Sequence, residues 1–337
     1  MRVLKIEKRD AERIKKRLSK MGLLEHKYRV YSDDDFVYFP INASNAEDLS
    51  ALAHGAIIEA KPGKFRKSGM QDHYKSTSRI KGVSRSYDIL GNIAVIEAGS
   101  ATDAHNAAKA IMNTNKNVNT VVRKGSAVRG RFRKRKYVYV AGKRNFIADY
   151  RENGCEFIFD IRKTFFSSRL SFERKRIAEQ VKDGETVMVM FAGVGPFAIE
   201  IAKVHRSSMV IAIELNANAH RAMEKNIELN KTPNVIAVKG DVNKIVRRFK
   251  GMADRIIMPL PKDSGKFLEA ALYAAKERCI VHYYAFGNRH SAFEDSKKQI
   301  LDFMKKRGVS TRFIHEREVR QYSPSEIEIV LDFILIK

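Results

Sequence analysis

Two glycines and a glutamate have residue types and a spacing that could bind a nucleoside. Gly193 and Gly195 follow the apolar run 187–191, and Glu214 closes a second apolar run nineteen residues after Gly195. Glycines let the backbone turn sharply and approach a ligand closely, and Pro196 suits the first position of a helix. A carboxylate at the end of a strand can accept hydrogen bonds from ribose hydroxyls. The pattern therefore predicts a strand, a tight loop, a helix and a second strand that ends in a ribose-binding acid.

The same loop argues against two common nucleotide ligands. The third glycine of the dinucleotide fingerprint is replaced by Pro196 and Phe197, so NAD fits poorly, and no Gly-Lys-Ser/Thr follows, which excludes an NTP-binding P-loop. An adenosine ligand without a pyrophosphate remains. S-adenosylmethionine is the common ligand of that kind, and we predict it as the cofactor.

Basic residues are concentrated in the middle of the chain. The 337 residues carry a formal net charge of +25. Segment 61–180 holds 27 basic and 10 acidic side chains, which is a surplus of 17. The run 121–136 has no acidic residue, and it is interleaved with the aromatic residues Phe132, Tyr137 and Tyr139. Release of counterions from phosphates favours binding to such a surface, so the region is predicted to bind RNA or DNA.

The elements that must position these residues alternate between strands and helices. Apolar runs predict strands at 187–191, 209–214, 235–238, 255–258 and 279–286, and an antiparallel hairpin at 312–317 and 326–336. Helical spacing between the strands implies an α/β fold with a mostly parallel, doubly wound sheet.

Shifts in composition predict three domains. Residues 1–60 form a small α/β module, with a solvated helix at 10–21 that has Ile14, Leu18 and Met21 on one face. Residues 61–152 form a basic α+β domain with a hairpin around Gly91-Asn92. Residues 153–337 contain the predicted cofactor loop.

Cysteine usage and apolar run length indicate the class of protein. Cys155 and Cys279 lie far apart and form no metal-binding pattern. No run reaches the roughly 18 apolar residues that a membrane span requires. We expect a soluble, cytoplasmic, monomeric protein that needs no metal.

Several motifs in order along the chain resemble those of the archaeal and eukaryotic tRNA guanine-N1 methyltransferases that act at position 37, beside the anticodon. The motifs are Tyr-Arg-Glu-Asn-Gly at 150–154, the segments 166–170 and 173–177, Phe-Ala-Gly-Val-Gly-Pro-Phe at 191–197, and Met-Pro-Leu-Pro-Lys at 258–262. The resemblance covers nearly the whole chain. It implies a Rossmann-like class I methyltransferase domain that binds S-adenosylmethionine and is preceded by domains that read tRNA.

The resemblance implies that Glu152 is the general base. Guanine N1 bears a proton that must leave as the methyl group arrives, and a carboxylate within hydrogen-bond reach is suited to accept it. The released charge delocalises onto O6 of the base, where a guanidinium would stabilise it. Arg133, in the basic run, is the candidate for that role.

The resemblance also assigns cofactor contacts. Glu214 would bind the ribose and Leu215 would flank the adenine. Asp241 would accept from the adenine amino group, with support from the Val242 backbone N–H. Arg174 resembles a position that reaches the methionine carboxylate. The predicted cofactor site is completed by Phe191, Gly193, Gly195 and Pro259.

Two positions depart from the family pattern and keep alternatives open. Val189 stands where members commonly carry an acid, and Pro259 stands where the strand often ends in Asn. One alternative is a wyosine-pathway transferase that moves a methyl or aminocarboxypropyl group onto the same nucleotide. Another is an RNA-binding protein whose methyltransferase-like domain is inert.

Overall fold

The described part of the chain forms two compact units. The computed structural model describes residues 2–21, 23–24, 30–32, 35–41, 57–60, 87–126, 130 and 135–337. One unit contains the described residues up to 60 together with 99–116, and the other contains those of 87–98 and 117–337. The predicted domain limits at 60 and 152 stay predictions.

The first unit contains a four-stranded antiparallel sheet. Its strands are β1 (Arg2–Glu7), β2 (Tyr31–Ser32), β3 (Phe36–Ile41) and β4 (Ile57–Ala60), in the order β2-β3-β1-β4. Helices α1 (Ala11–Lys20) and α2 (Ala101–Thr114) also belong to this unit. Ile14 and Leu18 of α1 are buried. Met21 follows the last residue of the helix, Lys20, and is 47% exposed.

The second unit begins with a small mixed sheet. Its strands are β5 (Asp88–Leu90), β6 (Ile93–Ile96), β7 (Thr120–Lys124) and β8 (Tyr137–Gly142), in sequence order. The predicted hairpin around Gly91-Asn92 is confirmed. Asn92 Oδ1 accepts from the Asp149 N–H at 2.9 Å. A Cβ atom on Gly91, which has a φ of +59°, would lie 1.6 Å from Asp149 O, so only glycine fits this close approach.

The next element is the hairpin that carries the predicted base. Strands β9 (Ile147–Glu152) and β10 (Cys155–Asp160) pair antiparallel, with Glu152 opposite Cys155. Asn153 (φ +47°) and Gly154 (φ +76°) form the turn between them. Two residues with positive φ match the twist of a two-residue hairpin, which explains the Asn-Gly sequence. The turn places Glu152 at the end of its strand.

A seven-stranded sheet confirms the predicted fold class. The strands are β11 (Thr186–Met190), β12 (Met209–Glu214), β13 (Val235–Lys239), β14 (Ala253–Met258), β15 (Ala275–Asn288), β16 (Ser310–Gln321) and β17 (Glu326–Ile336). Their order is β13-β12-β11-β14-β15-β17-β16. The first five are parallel, and β17 and β16 form the predicted antiparallel hairpin beside β15.

Helices cover both faces of this sheet. They are α3 (Ser171–Gln180), α4 (Pro196–Val204), α5 (Ala217–Asn230), α6 (Val242–Ile245), α7 (Leu268–Ala274) and α8 (Ala292–Lys305). Met188 and Met190 of β11 pack on the face that includes α7 and α8, and Val187 and Val189 pack on the face that includes α3 and α4. Burial on both sides explains why β11 is apolar from Val187 to Met190.

The parallel strands determine where a ligand can bind. In an open parallel sheet the loops at the carboxyl ends of the strands line a common crevice. Strands β11 to β14 all end at this edge. No helix in the described ranges is long and apolar enough to cross a membrane.

Candidate cofactor cleft and active site

The loop after β11 is tightly shaped by positive φ angles. Phe191, Gly193 and Gly195 have φ angles of +59°, +60° and +93°. A Cβ atom on Gly195 would lie 2.9 Å from Ile199 Cδ1 and 2.9 Å from Met223 Cγ. Glycine is therefore required at residue 195 for both its conformation and its packing, and α4 starts directly after it with Pro196.

Glu214 is held by the main chain around it. Its Oε2 accepts from the Gly193 N–H at 2.7 Å, and its Oε1 accepts from the Asn216 N–H at 2.6 Å. Burial raises the pKa of Glu214, and the N–H groups of Asn216, Gly193 and Leu215 oppose that rise. Each carboxylate oxygen has a second lone pair. Glu214 can thus accept hydrogen bonds from a ribose while it keeps those from the Gly193 and Asn216 N–H groups.

A cleft at the carboxyl ends of the strands contains most of the predicted cofactor residues. Its empty volume is about 780 Å³, including space open to solvent, which is in the range of small-molecule sites. The predicted residues that line it are Phe191, Gly193, Glu214, Leu215, Asp241, Val242 and Pro259. The loops after β11, β12, β13 and β14 all contribute, as the sheet topology requires.

Sequence reasoning missed other residues of the cleft wall. These are Phe165, Asn216, Ala219, Gly240, Leu260 and Phe267. Three of them, Asn216, Gly240 and Leu260, are next to predicted residues in the sequence. Their positions directly after strands could have identified them as cleft residues. Phe165 and Phe267 come from segments outside the strand–loop motifs. The Phe267 ring contacts that of Phe191, with 4.6 Å between ring centroids.

The loop after β13 presents an acid to the cleft. Asp241 caps α6 by accepting from the Asn243 N–H at 3.0 Å. Gly240 has a φ of +155°, and a Cβ atom there would lie 2.6 Å from Ile245 Cγ1. The glycine thus allows the chain to pass close to α6, and Asp241 follows it at the cleft wall.

Four predicted site residues, Gly195, Arg174, Glu152 and Arg133, are not among the residues that line the cleft. Gly195 is the last residue of the loop, and its positive φ allows the chain to turn into α4. Arg174 lies in a separate buried cluster with Glu152. Arg133 lies outside the described residues.

The cluster around Glu152 is a buried ion pair. Glu152 Oε2 accepts from Arg174 Nη2 at 2.7 Å and from the Tyr150 hydroxyl at 3.1 Å. Arg174 Nε lies 2.5 Å from Glu152 Oε1 without the alignment of a hydrogen bond. The side chains of Glu152 and Arg174 are 3% and 2% exposed. Glu152 and Arg174, which belong to different sequence motifs, therefore form a direct ion pair.

Glu200 of α4 joins this cluster. Its Oε1 lies 3.4 Å from Arg174 Nε, and its Oε2 accepts from Asn153 Nδ2 at 2.7 Å. Burial and the negative charge of Glu152 raise the pKa of Glu200 to about 9, against the lowering effect of Arg174. No motif in the sequence indicated this third member.

One short segment connects the cluster to the cleft. Phe165 lines the cleft, and Ser167 O accepts from Arg174 Nη2 at 3.1 Å. The Phe166 ring between them contacts Tyr150, with 4.9 Å between ring centroids. The segment 165–167 therefore contributes to the cleft wall and also contacts the Glu152 cluster.

The arrangement can bind an adenosine-type ligand and accept a proton beside it. A carboxylate in a largely dry site is suited to general-base chemistry. Within the described ranges no cluster of His, Cys, Asp and Glu could hold a metal ion. The available chemistry in that part of the chain comes from carboxylates, a guanidinium and backbone N–H groups.

Val189 occupies an apolar position in this structure. Its side chain is fully buried on the α3 and α4 face of the sheet, together with Ile177, Phe197 and Tyr284. An ionised acid in such surroundings would need a partner. The valine is thus compatible with the local packing.

Three families of protein domains match consecutive parts of the chain. The tRNA methyltransferase 5 N-terminal domain matches residues 4–49, and the TYW2 N-terminal domain matches residues 70–145. The TRM5/TYW2 methyltransferase domain matches residues 148–312, which include the cleft and the Glu152 cluster.

Whole-chain similarity points to the same group of proteins. The tRNA (guanine(37)-N(1))-methyltransferase Trm5b of Pyrococcus abyssi is 32% identical over 332 residues, which cover 98% of each chain. The solved complex of aTrm5 and tRNALeu has a TM-score of 0.70 and 28% identity, covering 99% of each chain. The structure of Methanocaldococcus jannaschii TYW2 with AdoMet has a TM-score of 0.61 and 25% identity, covering 75% of this chain and 100% of that one. By its domains, its fold and its full-length similarity, the chain belongs to the TRM5/TYW2 methyltransferase family.

Proposed function

We propose that this protein transfers a methyl group from S-adenosylmethionine to N1 of guanine 37 in tRNA. The observation that carries the proposal is the similarity to Trm5b, which extends over 98% of both chains at 32% identity. It therefore includes the basic region that precedes the cleft as well as the cleft itself. The reaction would occur in the cytoplasm, with the protein acting as a monomer.

The cleft fits the adenosyl part of the cofactor. Glu214 offers acceptor sites for the ribose hydroxyls, because each of its oxygens is oriented by one backbone N–H. Leu215 flanks the adenine, and Asp241 and the Val242 N–H face its polar edge. A Cβ atom on Gly193 would have only Phe165 O within 4 Å, at 3.9 Å, so this point of the loop leaves room for a ligand. When bound, S-adenosylmethionine supplies a methyl group on a positively charged sulfur.

Glu152 removes the proton from guanine N1. The nitrogen can form its new bond to carbon only as that proton leaves, and a carboxylate can accept it. Glu152 belongs to the buried cluster that shares segment 165–167 with the cleft wall. Its side chain is 3% exposed, so the target base must enter the protein to reach it. The contacts of Arg174 with Glu152 support a role in holding the Glu152 carboxylate. A contact between Arg174 and the methionine carboxylate of the cofactor stays a prediction.

The basic region binds the tRNA and delivers the base. A base inside a stack is out of reach of a buried carboxylate, so the target guanine must be flipped out. Arg133 would then stabilise the negative charge that develops on O6. The similar protein aTrm5 has been solved in complex with tRNALeu, which supports a tRNA as the partner of this family member.

The alternatives have less support. TYW2 with AdoMet covers 75% of this chain, whereas Trm5b covers 98%, so a wyosine-pathway transferase is the second candidate. An inert domain would not need the cleft residues that orient Glu214. Titration calorimetry with S-adenosylmethionine tests this point, since an inert domain gives no saturable heat.

Product analysis tests the proposal itself. The protein is incubated with methyl-labelled S-adenosylmethionine and an unmodified tRNA transcript that carries G37, and the nucleosides are separated. We expect the label in 1-methylguanosine. Label in another nucleoside, or none despite saturable cofactor binding, contradicts the proposal.

A further inference from the structure

A second carboxyl group, that of Glu200, shares the buried cluster of Glu152. It is carried by α4, the helix that starts at the glycine loop, and its side chain is 2% exposed. Arg174 Nε is 3.4 Å from Glu200 Oε1 and 2.5 Å from Glu152 Oε1. Two acids therefore meet at one guanidinium.

The charges in this cluster balance only if one acid keeps its proton. An arginine side chain stays protonated in proteins. Two carboxylates in contact cannot both ionise without a large electrostatic cost. Burial and the charge of Glu152 raise the pKa of Glu200 to about 9. The neutral combination is one guanidinium, one carboxylate and one carboxylic acid.

The hydrogen bonds indicate where that proton lies. Glu152 Oε2 accepts from Arg174 and Tyr150, and Glu200 Oε2 accepts from Asn153. Among the described residues, Glu152 Oε1 and Glu200 Oε1 are both buried without an aligned donor. Both atoms lie near the same Arg174 Nε, at 2.5 Å and 3.4 Å, which brings the two carboxyl groups together. A proton on Glu200 Oε1 satisfies both atoms at once.

We propose, on the basis of the proposed function in which Glu152 is the base, that Glu200 is the positioning residue for Glu152. Its neutral carboxyl group donates a hydrogen bond to Glu152 Oε1. This contact and the Arg174 ion pair fix the orientation of Glu152. Glu152 is then oriented to accept the N1 proton of guanine. The proton on Glu200 Oε1 stays where it is during this step.

Several ionisable groups surround Glu200 and influence its titration. They are Glu152 and Tyr150 on β9, Cys155 on β10, Arg174 on α3 and Lys203 on α4. Burial raises the pKa of Cys155 to about 11 and raises that of Tyr150 above its ordinary value. Among the groups of this cluster whose pKa is raised, Glu200 is thus the one that titrates at the lowest pH.

Carbon-13 NMR of the protein labelled at the glutamate carboxyl carbons tests the protonation state directly. We expect one resonance that titrates at alkaline pH, with a midpoint near the pKa of about 9. It should be absent in Glu200→Gln and present in Glu179→Gln, whose side chain is 65% exposed. In Glu152→Gln its midpoint should move to lower pH, because the neighbouring negative charge is gone. The proposal is wrong if every glutamate of the wild type titrates below neutral pH.

Stability against pH provides a second readout that does not depend on catalysis. The folded state keeps a proton on Glu200 that the unfolded chain releases near the ordinary pKa of 4.5. The resulting stabilisation is fully present below 4.5 and is lost as the pH rises through about 9. The Tm of Glu200→Gln minus that of the wild type should therefore increase from pH 5 to pH 9. A constant difference contradicts a retained proton.

Activity then tests the positioning role. Glu200→Leu removes the donor to Glu152, and we expect single-turnover methyl transfer to slow by roughly tenfold or more, the effect of one hydrogen bond to a charged group. Glu200→Gln keeps a donor in its amide and should recover most of that loss. Equal rates in the two variants contradict the positioning role. The NMR and Tm results remain interpretable even if no methyl transfer is found, so failure of the two proposals can be told apart.

Discussion

Glu214 Oε2 accepts a hydrogen bond of 2.7 Å from the backbone N–H of Gly193. The contact ties the end of β12 to the loop that follows β11. The Asn216 N–H holds the other carboxylate oxygen at 2.6 Å. The proposed ribose site therefore consists of a carboxylate that the main chain has already oriented.

Removal of this carboxylate should weaken cofactor binding. We expect Glu214→Ala to lose about 10- to 100-fold in affinity for S-adenosylmethionine, since a hydrogen bond to a charged group contributes roughly 1.5–3 kcal/mol. Titration calorimetry measures the loss, with Glu179→Gln as the exposed control. Wild-type affinity in Glu214→Ala would exclude Glu214 as the ribose ligand.

A methyl group added to the glycine loop should disturb both stability and the cleft. Gly195→Ala combines a φ of +93° with contacts of 2.9 Å to Ile199 and Met223. Gly184→Ala is a matched control, because Gly184 has a φ of +84° and nothing within 4 Å of the added Cβ. We expect the control to lose about 1 kcal/mol of unfolding free energy. Gly195→Ala should lose more and also bind the cofactor less tightly, as measured by denaturant unfolding and calorimetry. Equal losses in the two variants would mean that packing at residue 195 is unimportant.

Neutralising the proposed base should affect catalysis far more than cofactor binding. Glu152→Gln keeps the size of the side chain, and Glu200 can supply the negative charge beside Arg174. We expect the single-turnover rate to fall by about 10²- to 10⁴-fold, with little change in cofactor affinity. Tyr150→Phe removes only the 3.1 Å hydrogen bond to Glu152 and should lose less than the base variant. A Glu152→Gln enzyme that keeps most of its rate would rule out the general-base role.

The basic run should contribute to tRNA affinity through phosphate contacts. Arg131 and Arg133 lie outside the described residues, and Arg135 follows them. Replacing all three by Ala should weaken tRNA binding and flatten its dependence on salt, because fewer counterions are released. Replacing the exposed Lys298, Lys305 and Lys306 removes the same charge elsewhere and controls for net charge. An equal change of the salt slope in both triple variants would show a non-specific effect.

Local patterns in the sequence were sufficient to predict most of the residues that meet at the cleft. The strand, the glycine loop and Glu214 lie within 28 residues, from 187 to 214, and their geometry follows from neighbouring residues. The parallel topology then brings Asp241 and Pro259 to the same edge. Phe267 was missed, since no local signal marks a side chain that approaches from another segment.

The cluster around Glu152 could not be predicted in the same way. Its members come from β9, α3 and α4, and they meet only when the hairpin docks on the two helices. In the sequence, Glu200 has the pattern of an ordinary helix charge, and Arg174 was assigned to the methionine carboxylate and not to Glu152. Their burial and mutual distances of 2.5–3.4 Å are properties of the folded chain. The proposed protonation of Glu200 depends on those distances, so it could not be predicted from the sequence alone.

The assignment of the reaction rests on the identity of nucleotide 37. Two tRNA transcripts that differ only there, with G37 or A37, are each incubated with the wild-type protein and labelled S-adenosylmethionine under single-turnover conditions. We predict rapid formation of 1-methylguanosine in the G37 transcript, background label in the A37 transcript, and loss of the G37 signal with Glu152→Gln. Equal labelling of the two transcripts, or no labelling of the G37 transcript while the cofactor binds, would contradict methylation of guanine 37.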